Sequence, residues 1–254
     1  LIFKKKINYK NYSIVARINN FWDFWRTSNY EKYPIDLKIN EKENYNIEKK
    51  KIIFYEIGAN VGYSSLFISK IINNAGKVFA FEIDPTNFKT LTDNIILNEI
   101  KNLIPFNIGV SSENKVEKFF HNTKHLNNRE QLPASSMGMH SLKFDKKVHK
   151  ENVFCFAPLM EFNELMRIFN LPKPTHLYID TYGVEEEIIK SVVSCDPESH
   201  PEFILVDIEE KIDSFKDSKI VQVLEKNKYK LVNWTLEKGF KEIPDSYKSI
   251  FKKI

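Results

Sequence analysis

Residues 52–62, IIFYEIGANVG, and residues 77–85, KVFAFEIDP, decide the fold. The first stretch opens on a β-branched and aromatic run, Ile52 to Tyr55, that reads as a buried parallel strand. It ends at Glu56-Ile57-Gly58 and turns through Ala59-Asn60 into a helix opening near Gly62. Gly58 permits a sharp turn with a ligand against the backbone, and Gly62 is expected to let the helix pack close to the strand. The second stretch reads as the next strand, Lys77 to Phe81, which delivers Glu82 to its C-terminal end. Glu82 lies roughly 20 residues past the turn, where a doubly wound α/β fold places a carboxylate that accepts from ribose hydroxyls.

The glycine spacing then separates the ligands. A dinucleotide site wants G-x-G-x-x-G, because the middle glycine lets a pyrophosphate touch the backbone. Here Asn60 holds that position and Tyr63 stands where the last glycine would be. The loop also carries Glu56, which repels a phosphate and attracts an ammonium or sulfonium group. S-adenosylmethionine has both cations and no phosphate, so the motif reads as a methyl-donor site.

Outward from this centre, strands and helices alternate from Lys51 onward, which implies a mostly parallel sheet with helices on both faces. Strands are expected near 52–57, 77–82, 103–109, 153–157, 176–180, 202–207 and 229–234, and helices near 62–72, 85–98, 160–169, 184–193 and 217–227. Asp84 and Pro85 fit the N-cap and first turn of the second helix. Residues 1–50 differ in kind, with lysine-rich ends around Phe21, Trp22, Phe24, Trp25, Tyr30 and Tyr33. They read as a helical extension: a cap on the core, a lid over an acceptor site or a membrane-surface helix. A long polar insertion, 111–152, contains four of the six histidines, His121, His125, His140 and His149. None makes a convincing zinc pair, and His140, beside SSMGMH, is the candidate general base among them.

Composition fits an ordinary enzyme. The chain has 254 residues, 42% of them hydrophobic, enough for one α/β domain with an appendage. The net charge of +4 is mild and carried almost wholly by lysine, since Arg17, Arg26, Arg129 and Arg167 are the only arginines. Nucleic-acid recognition leans on arginine forks, so no nucleic-acid partner is expected. Two cysteines, Cys155 and Cys195, cannot form a disulfide framework and point to a reducing, cytoplasmic setting. No apolar run reaches the ~20 residues that span a membrane.

At YEIGANVGYSSL, GKVFAFEIDPTNFKTLTDNIILN, NLIPFNIGVSSENK and HLYIDTYGVEEEIIKSV the chain resembles the FkbM-type S-adenosylmethionine-dependent methyltransferases. The likeness runs from about Lys51 to Trp234. The family pattern near the last stretch is close to K-x-D-V-E-G-A-E. Asp180, Gly183 and Glu185 match it, while Tyr178 and Tyr182 replace a usual lysine and glutamate. The resemblance implies a Rossmann-like methyltransferase domain over 51–254 that methylates a hydroxyl of a sugar, a glycan intermediate or another small metabolite. Glu56, Gly58, Asn60 and Gly62 are then expected to hold the methionine portion, Glu82 with Asp84 the ribose side, and the loop from Asn107 to Ser111 the adenine. A nucleic-acid methyltransferase and a binding domain that has lost its chemistry are the rivals.

Asp180 is the leading catalytic candidate, because it ends a strand (LYID) where open α/β sheets place reacting groups. A carboxylate there can take the acceptor hydroxyl's proton or hold a divalent metal. Glu185 is a second candidate, and Asp180 with Asp207 is the candidate Mg²⁺ pair.

Overall fold

In the central strand β3 (Ile52–Ile57) every residue is buried, and its run of Ile, Phe and Tyr leaves no polar face to give to water. Such a strand needs cover on both sides, and its alternating side chains supply two cores. Ile52 and Phe54 join one cluster, and Ile53, Tyr55 and Ile57 the other. The computed structural model describes residues 3–9, 11–18, 51–122, 142, 149–181, 183–208, 218–237 and 246–254.

The order is β1 (Phe3–Tyr9), β2 (Tyr12–Ile18), β3, α1 (Tyr63–Ile72), β4 (Gly76–Phe81), α2 (Pro85–Leu97), β5 (Leu103–Phe106), β6 (Gly109–Ser111), β7 (Lys115–Asn122), β8 (His149–Glu161) and α3 (Phe162–Ile168). There follow β9 (His176–Ile179), α4 (Glu185–Ser194), β10 (Phe203–Ile208), α5 (Lys219–Lys226), β11 (Tyr229–Glu237) and β12 (Ser246–Lys253). Seven strands form the main sheet in the order β11-β12-β10-β9-β3-β4-β5. β3, β4, β5, β9 and β10 run parallel, and β12 is antiparallel to both its neighbours. Leu66 and Ile68 of α1 and Leu91 of α2 pack on one face, and Phe162, Leu165, Ile188, Val192 and Leu224 on the other. Each such side chain contributes about 1.5–3 kcal/mol by leaving water. The α/β doubly wound expectation therefore holds.

Local chemistry sets the element ends. Asp84 caps α2, its side chain accepting from the N–H groups of Thr86 at 2.7 Å and Asn87 at 3.0 Å, with Pro85 in the first turn. The expected strand 103–109 breaks in two because Asn107 Nδ2 donates to the carbonyls of Glu82 at 2.8 Å and Ile83 at 3.1 Å. That staple turns the chain out of the main sheet.

Three regions depart from the sequence expectation. The described part of the N-terminal extension is a β-hairpin, β1 paired antiparallel with β2, and not a helix. Ile7, Ile14 and Ala16 enter the main core, while Asn94 of α2 and Asn98, the residue that caps its C-terminus, hydrogen-bond the edge of β2. The aromatic cluster from Phe21 to Tyr33 lies outside the described residues. The insertion is not loop throughout, since β7 and β8 at its two ends join β6 in a separate three-stranded sheet. The strand expected at 153–157 belongs there, antiparallel to β7, and not in the main sheet. Finally, β11 is an edge strand paired with β12, a strand the sequence reading did not anticipate.

Candidate active site

The chain leaves β3 in one direction for β4 and later returns on its other side as β9. Strand order reverses at that point, and open α/β sheets bind ligands in the crevice beyond such a reversal. A cleft of about 850 Å³, counted out to its open mouth, lies there. Ile57, Gly58 and Asn60 form its floor, and Phe81, Glu82, Ile83 and Asn87 one wall. Ile108, Gly109 and Val110 line it with Phe119 and Leu159 from the three-stranded sheet, and Asp180, Thr181, Val184 and Ile188 lie opposite.

The loop after β3 is closed on itself. Gly58 and Ala59 donate their N–H groups to the Phe81 carbonyl, and Gly62 donates to that of Ala59. Asn60 donates its N–H to Glu82 Oε2 at 2.6 Å, and Val61 donates to Asn60 Oδ1 at 2.8 Å. Every N–H from Gly58 to Gly62 is thus taken within the protein. A pyrophosphate site needs such groups open to the ligand, so this loop offers a phosphate no backbone donor. Gly58 has φ 86°, and a Cβ there would sit 2.0 Å from the Asp180 carbonyl oxygen. Asn60 has φ 53°, a left-handed conformation asparagine tolerates. At Gly62 a Cβ would meet Leu91 of α2 at 2.2 Å, so this glycine brings α1 against α2 and not against the strand.

Glu82 is buried at the end of β4 and accepts from the Asn60 N–H at 2.6 Å and from the Asp84 N–H at 2.8 Å. Burial, with Asp84 beside it, pushes its pKa up to about 7 despite those donors. Its remaining lone pairs suit ligand hydroxyls. Asp180 lines the cleft from the end of β9, and Tyr178 donates its hydroxyl to Asp180 Oδ2 at 3.1 Å. Burial first, and then the Asp180, Asp207 and Glu56 carboxylates, raise the Tyr178 pKa, so the phenol keeps its proton as a donor.

Several expected site residues make hydrogen bonds within the scaffold. Glu56 follows Ile52 and Phe54 in the strand alternation, so it turns toward α1, is fully buried and accepts from the hydroxyls of Ser64 and Ser65. Burial pushes its pKa up to about 8, and it does not line the cleft. Asp84 caps α2 and stands 3.5 Å from His121 Nδ1. Asn107 is the staple described above. Ser111 donates to Glu187 at 2.6 Å, while its neighbours Ile108 to Val110 line the cleft. Glu185 folds back to accept from Thr181 at 3.0 Å and from the Gly183 N–H at 2.9 Å. Burial pushes the Glu185 pKa up to about 7.

The expected metal pair is not assembled as a ligand cluster. Asp207 faces Lys248 at 3.5 Å, and among the described residues no group of three or more His, Cys, Asp or Glu side chains is placed to hold a metal ion. His140 and the side chain of Tyr182 lie outside the described residues. The sequence reading missed Asn87 and the Phe119–Leu159 wall. Asn87 had a signal, because a residue three past a helix cap at a strand end sits beside the crevice. The wall had none, because it depends on where the three-stranded sheet docks.

Solved structures share this architecture. Over 98% of this chain and 82% of its own, an Aeropyrum pernix fibrillarin with natively bound S-adenosyl-L-methionine superposes at a TM-score of 0.52 and 13% identity. The fold is Rossmann-like. A Geobacter metallireducens precorrin-6Y C5,15-methyltransferase matches at 0.47 and 17% identity over 81% of each chain. The M. jannaschii TYW2 in complex with AdoMet matches at 0.45 and 15%, over 99% of this chain and 87% of its own. Likeness at those two lower scores adds nothing to the argument. No protein-family model matches the chain, and no curated protein matches it either. Among the described residues, no helix is long and apolar enough to cross a membrane.

Proposed function

We propose that this chain is an S-adenosylmethionine-dependent O-methyltransferase of the FkbM type, acting on a hydroxyl of a sugar, glycan intermediate or other small metabolite. The observation that carries the donor reading is the closed glycine loop delivering its Asn60 N–H to Glu82 at the cleft. This arrangement leaves acceptors for a ribose and no backbone donors for a phosphate. The apolar surfaces of Ile83, Ile108 and Val110 suit a purine ring beside it. The bound sulfonium supplies an electrophilic methyl group.

Asp180, at the cleft and held by the Tyr178 hydroxyl through Oδ2, keeps Oδ1 for the acceptor. As the acceptor oxygen forms its bond to the methyl carbon, the carbon–sulfur bond breaks and the hydroxyl proton passes to Asp180. The products are a methyl ether, S-adenosylhomocysteine and a protonated Asp180 that returns its proton to solvent. Substrate class rests on resemblance to the family and on the small, part-apolar cleft.

Isothermal titration with S-adenosylmethionine, S-adenosylhomocysteine and NAD tests the donor site. Micromolar binding of the first two, absent for NAD and lost in Glu82→Ala, is expected. Labelled methyl transfer to a panel of nucleotide sugars and glycans, abolished in Asp180→Asn, tests the chemistry. Binding without transfer to any hydroxylated acceptor would overturn the O-methyltransferase reading. A binding domain would then lead, with Tyr178 in place of the family lysine as its mark.

A further inference from the structure

Alternation along β7 and β8 gives their small sheet two unlike faces. Phe119 and Leu159 are buried on the inner face and line the cleft. The outer face carries Val116, Lys118 and Phe120 of β7, paired across the ladder with Pro158, Phe156 and Phe154 of β8. Val116 is 68% exposed and Phe156 66%. Ring centroids lie 6.0 Å apart for Phe120 and Phe154 and 5.6 Å apart for Phe154 and Phe156, so the rings form one continuous surface. Lys118 holds its ammonium over the Phe154 ring, 4.6 Å from the centroid. Single exposed apolar side chains are ordinary, whereas a contiguous aromatic patch marks an interaction surface.

The chemistry of this face selects its occupant. Its six residues include one cation and no carboxylate. The sequence from Lys115 to Lys150, which leads through β7 into β8, has eight Lys or Arg against three Asp or Glu. The complementary occupant is therefore anionic. A protein partner exchanges about one hydrogen bond per 100–200 Å² of interface, and here only the Lys118 ammonium can serve. A single-stranded nucleic acid needs open ring faces for its bases. Phe120, Phe154 and Phe156 instead meet edge to face, and Lys118 covers the middle ring. An anionic bilayer requires neither. Acyl chains take up phenylalanine without directional bonds, while a lysine stem lies along the apolar surface and its head reaches lipid phosphate.

We propose that the outer face of the three-stranded sheet docks the protein on an anionic membrane surface. Val116, Phe154 and Phe156 enter the boundary between headgroups and acyl chains, and Lys118 pairs with lipid phosphate. The same strands line the cleft on their other face, so docking holds the cleft wall about 10 Å, one layer of packed side chains, from the bilayer. None of the six residues lines the cleft, and the inference stands apart from the methyl-donor reading.

The test is co-sedimentation with vesicles of phosphatidylcholine, alone or with about one third phosphatidylglycerol. Binding to the mixed vesicles is expected, with little binding to phosphatidylcholine alone and a loss as salt is raised. Val116→Asp and Phe156→Asp should each weaken it by about 10-fold or more, and Lys118→Glu by about 5-fold. Both apolar positions are exposed, so the variants should fold, which the melting curve checks; Phe156→Ser serves if the aspartate form does not. Ile96→Asp, at a 71% exposed position on α2, should bind as wild type does. Absence of binding to mixed vesicles, or binding that survives Phe156→Asp or falls equally in Ile96→Asp, would overturn the inference. A concentration-dependent dimer by light scattering, lost in Phe156→Asp, would assign the face to a second copy of the chain and overturn it too. Titration with S-adenosylhomocysteine is expected to be unchanged in every variant, so failure of the membrane inference leaves the donor site standing.

Discussion

The ends of β3 and β4 carry one buried glutamate each, and their surroundings divide them between scaffold and site. Glu56 on β3 meets two serine hydroxyls of α1 in a fully buried pocket. Glu82, just past the end of β4, meets two backbone N–H groups at the wall of an open cleft. Burial raises both pKa values, to about 8 and about 7. The difference is in what is left over. The two Glu56 oxygens are taken up by the serines on the helix side of the sheet, whereas Glu82 keeps acceptor capacity toward the crevice. Residue type therefore does not distinguish a carboxylate held inside the scaffold from one that lines a cleft; the direction it faces does.

The comparison breaks most drastically at the loop that joins the two strand ends. Gly58→Ala combines φ 86° with a Cβ 2.0 Å from the Asp180 carbonyl oxygen. It should cost about 3 kcal/mol or more of stability, read as a lowered urea midpoint. Next comes Glu82→Ala, for which a loss of S-adenosylhomocysteine affinity of about 100-fold is expected, equal to about 2.7 kcal/mol, together with a fall in stability as the Asn60 and Asp84 N–H groups lose their acceptor. Glu56→Ala should act on stability alone. Two buried serine hydroxyls lose their acceptor, so stability should fall by about 1–3 kcal/mol while affinity stays within a few-fold.

The two glutamates should also make stability depend on pH in the same direction. A buried carboxyl with a raised folded-state pKa holds its proton where the unfolded chain has released it. Its stabilising contribution is full below about pH 4.5 and is lost as pH rises through the folded value, about 8 for Glu56 and about 7 for Glu82 and Glu185. Melting temperature should therefore fall as pH rises across that window, and Glu56→Gln should flatten the part of the slope between pH 7 and 8. Ligand affinity should run the other way. It should rise as pH passes about 7, because ionised Glu82 is the better acceptor, and titrations at pH 6 and 8 check this.

The smallest expected effect sharpens the comparison from a distance. Asn94 is fully buried, donating to the Val61 carbonyl at 2.9 Å and accepting from the Arg17 N–H at 2.7 Å. It ties the N-terminal hairpin to the glycine loop. Asn94→Ala should cost about 1 kcal/mol of stability and weaken S-adenosylhomocysteine binding about 3-fold, read by melting and titration together.

Local patterns in the chain were enough to determine the parallel strands β3, β4, β9 and β10, the Asp84-Pro85 start of α2, and Glu82 and Asp180 at their strand ends. Each is a short-range signal: an apolar run buried on both faces, a side chain that caps its own helix, a carboxylate that closes a strand. Tertiary structure alone decided the rest. Strand parity against α1 turned Glu56 inward, and contact with Leu91 gave Gly62 its role. Pairing of β7 and β8 made a wall from an expected loop. The hairpin took an edge from Asn94 and Asn98, far along the chain. These outcomes depend on which distant groups meet, and pairings between remote segments leave no period or spacing in the sequence to read.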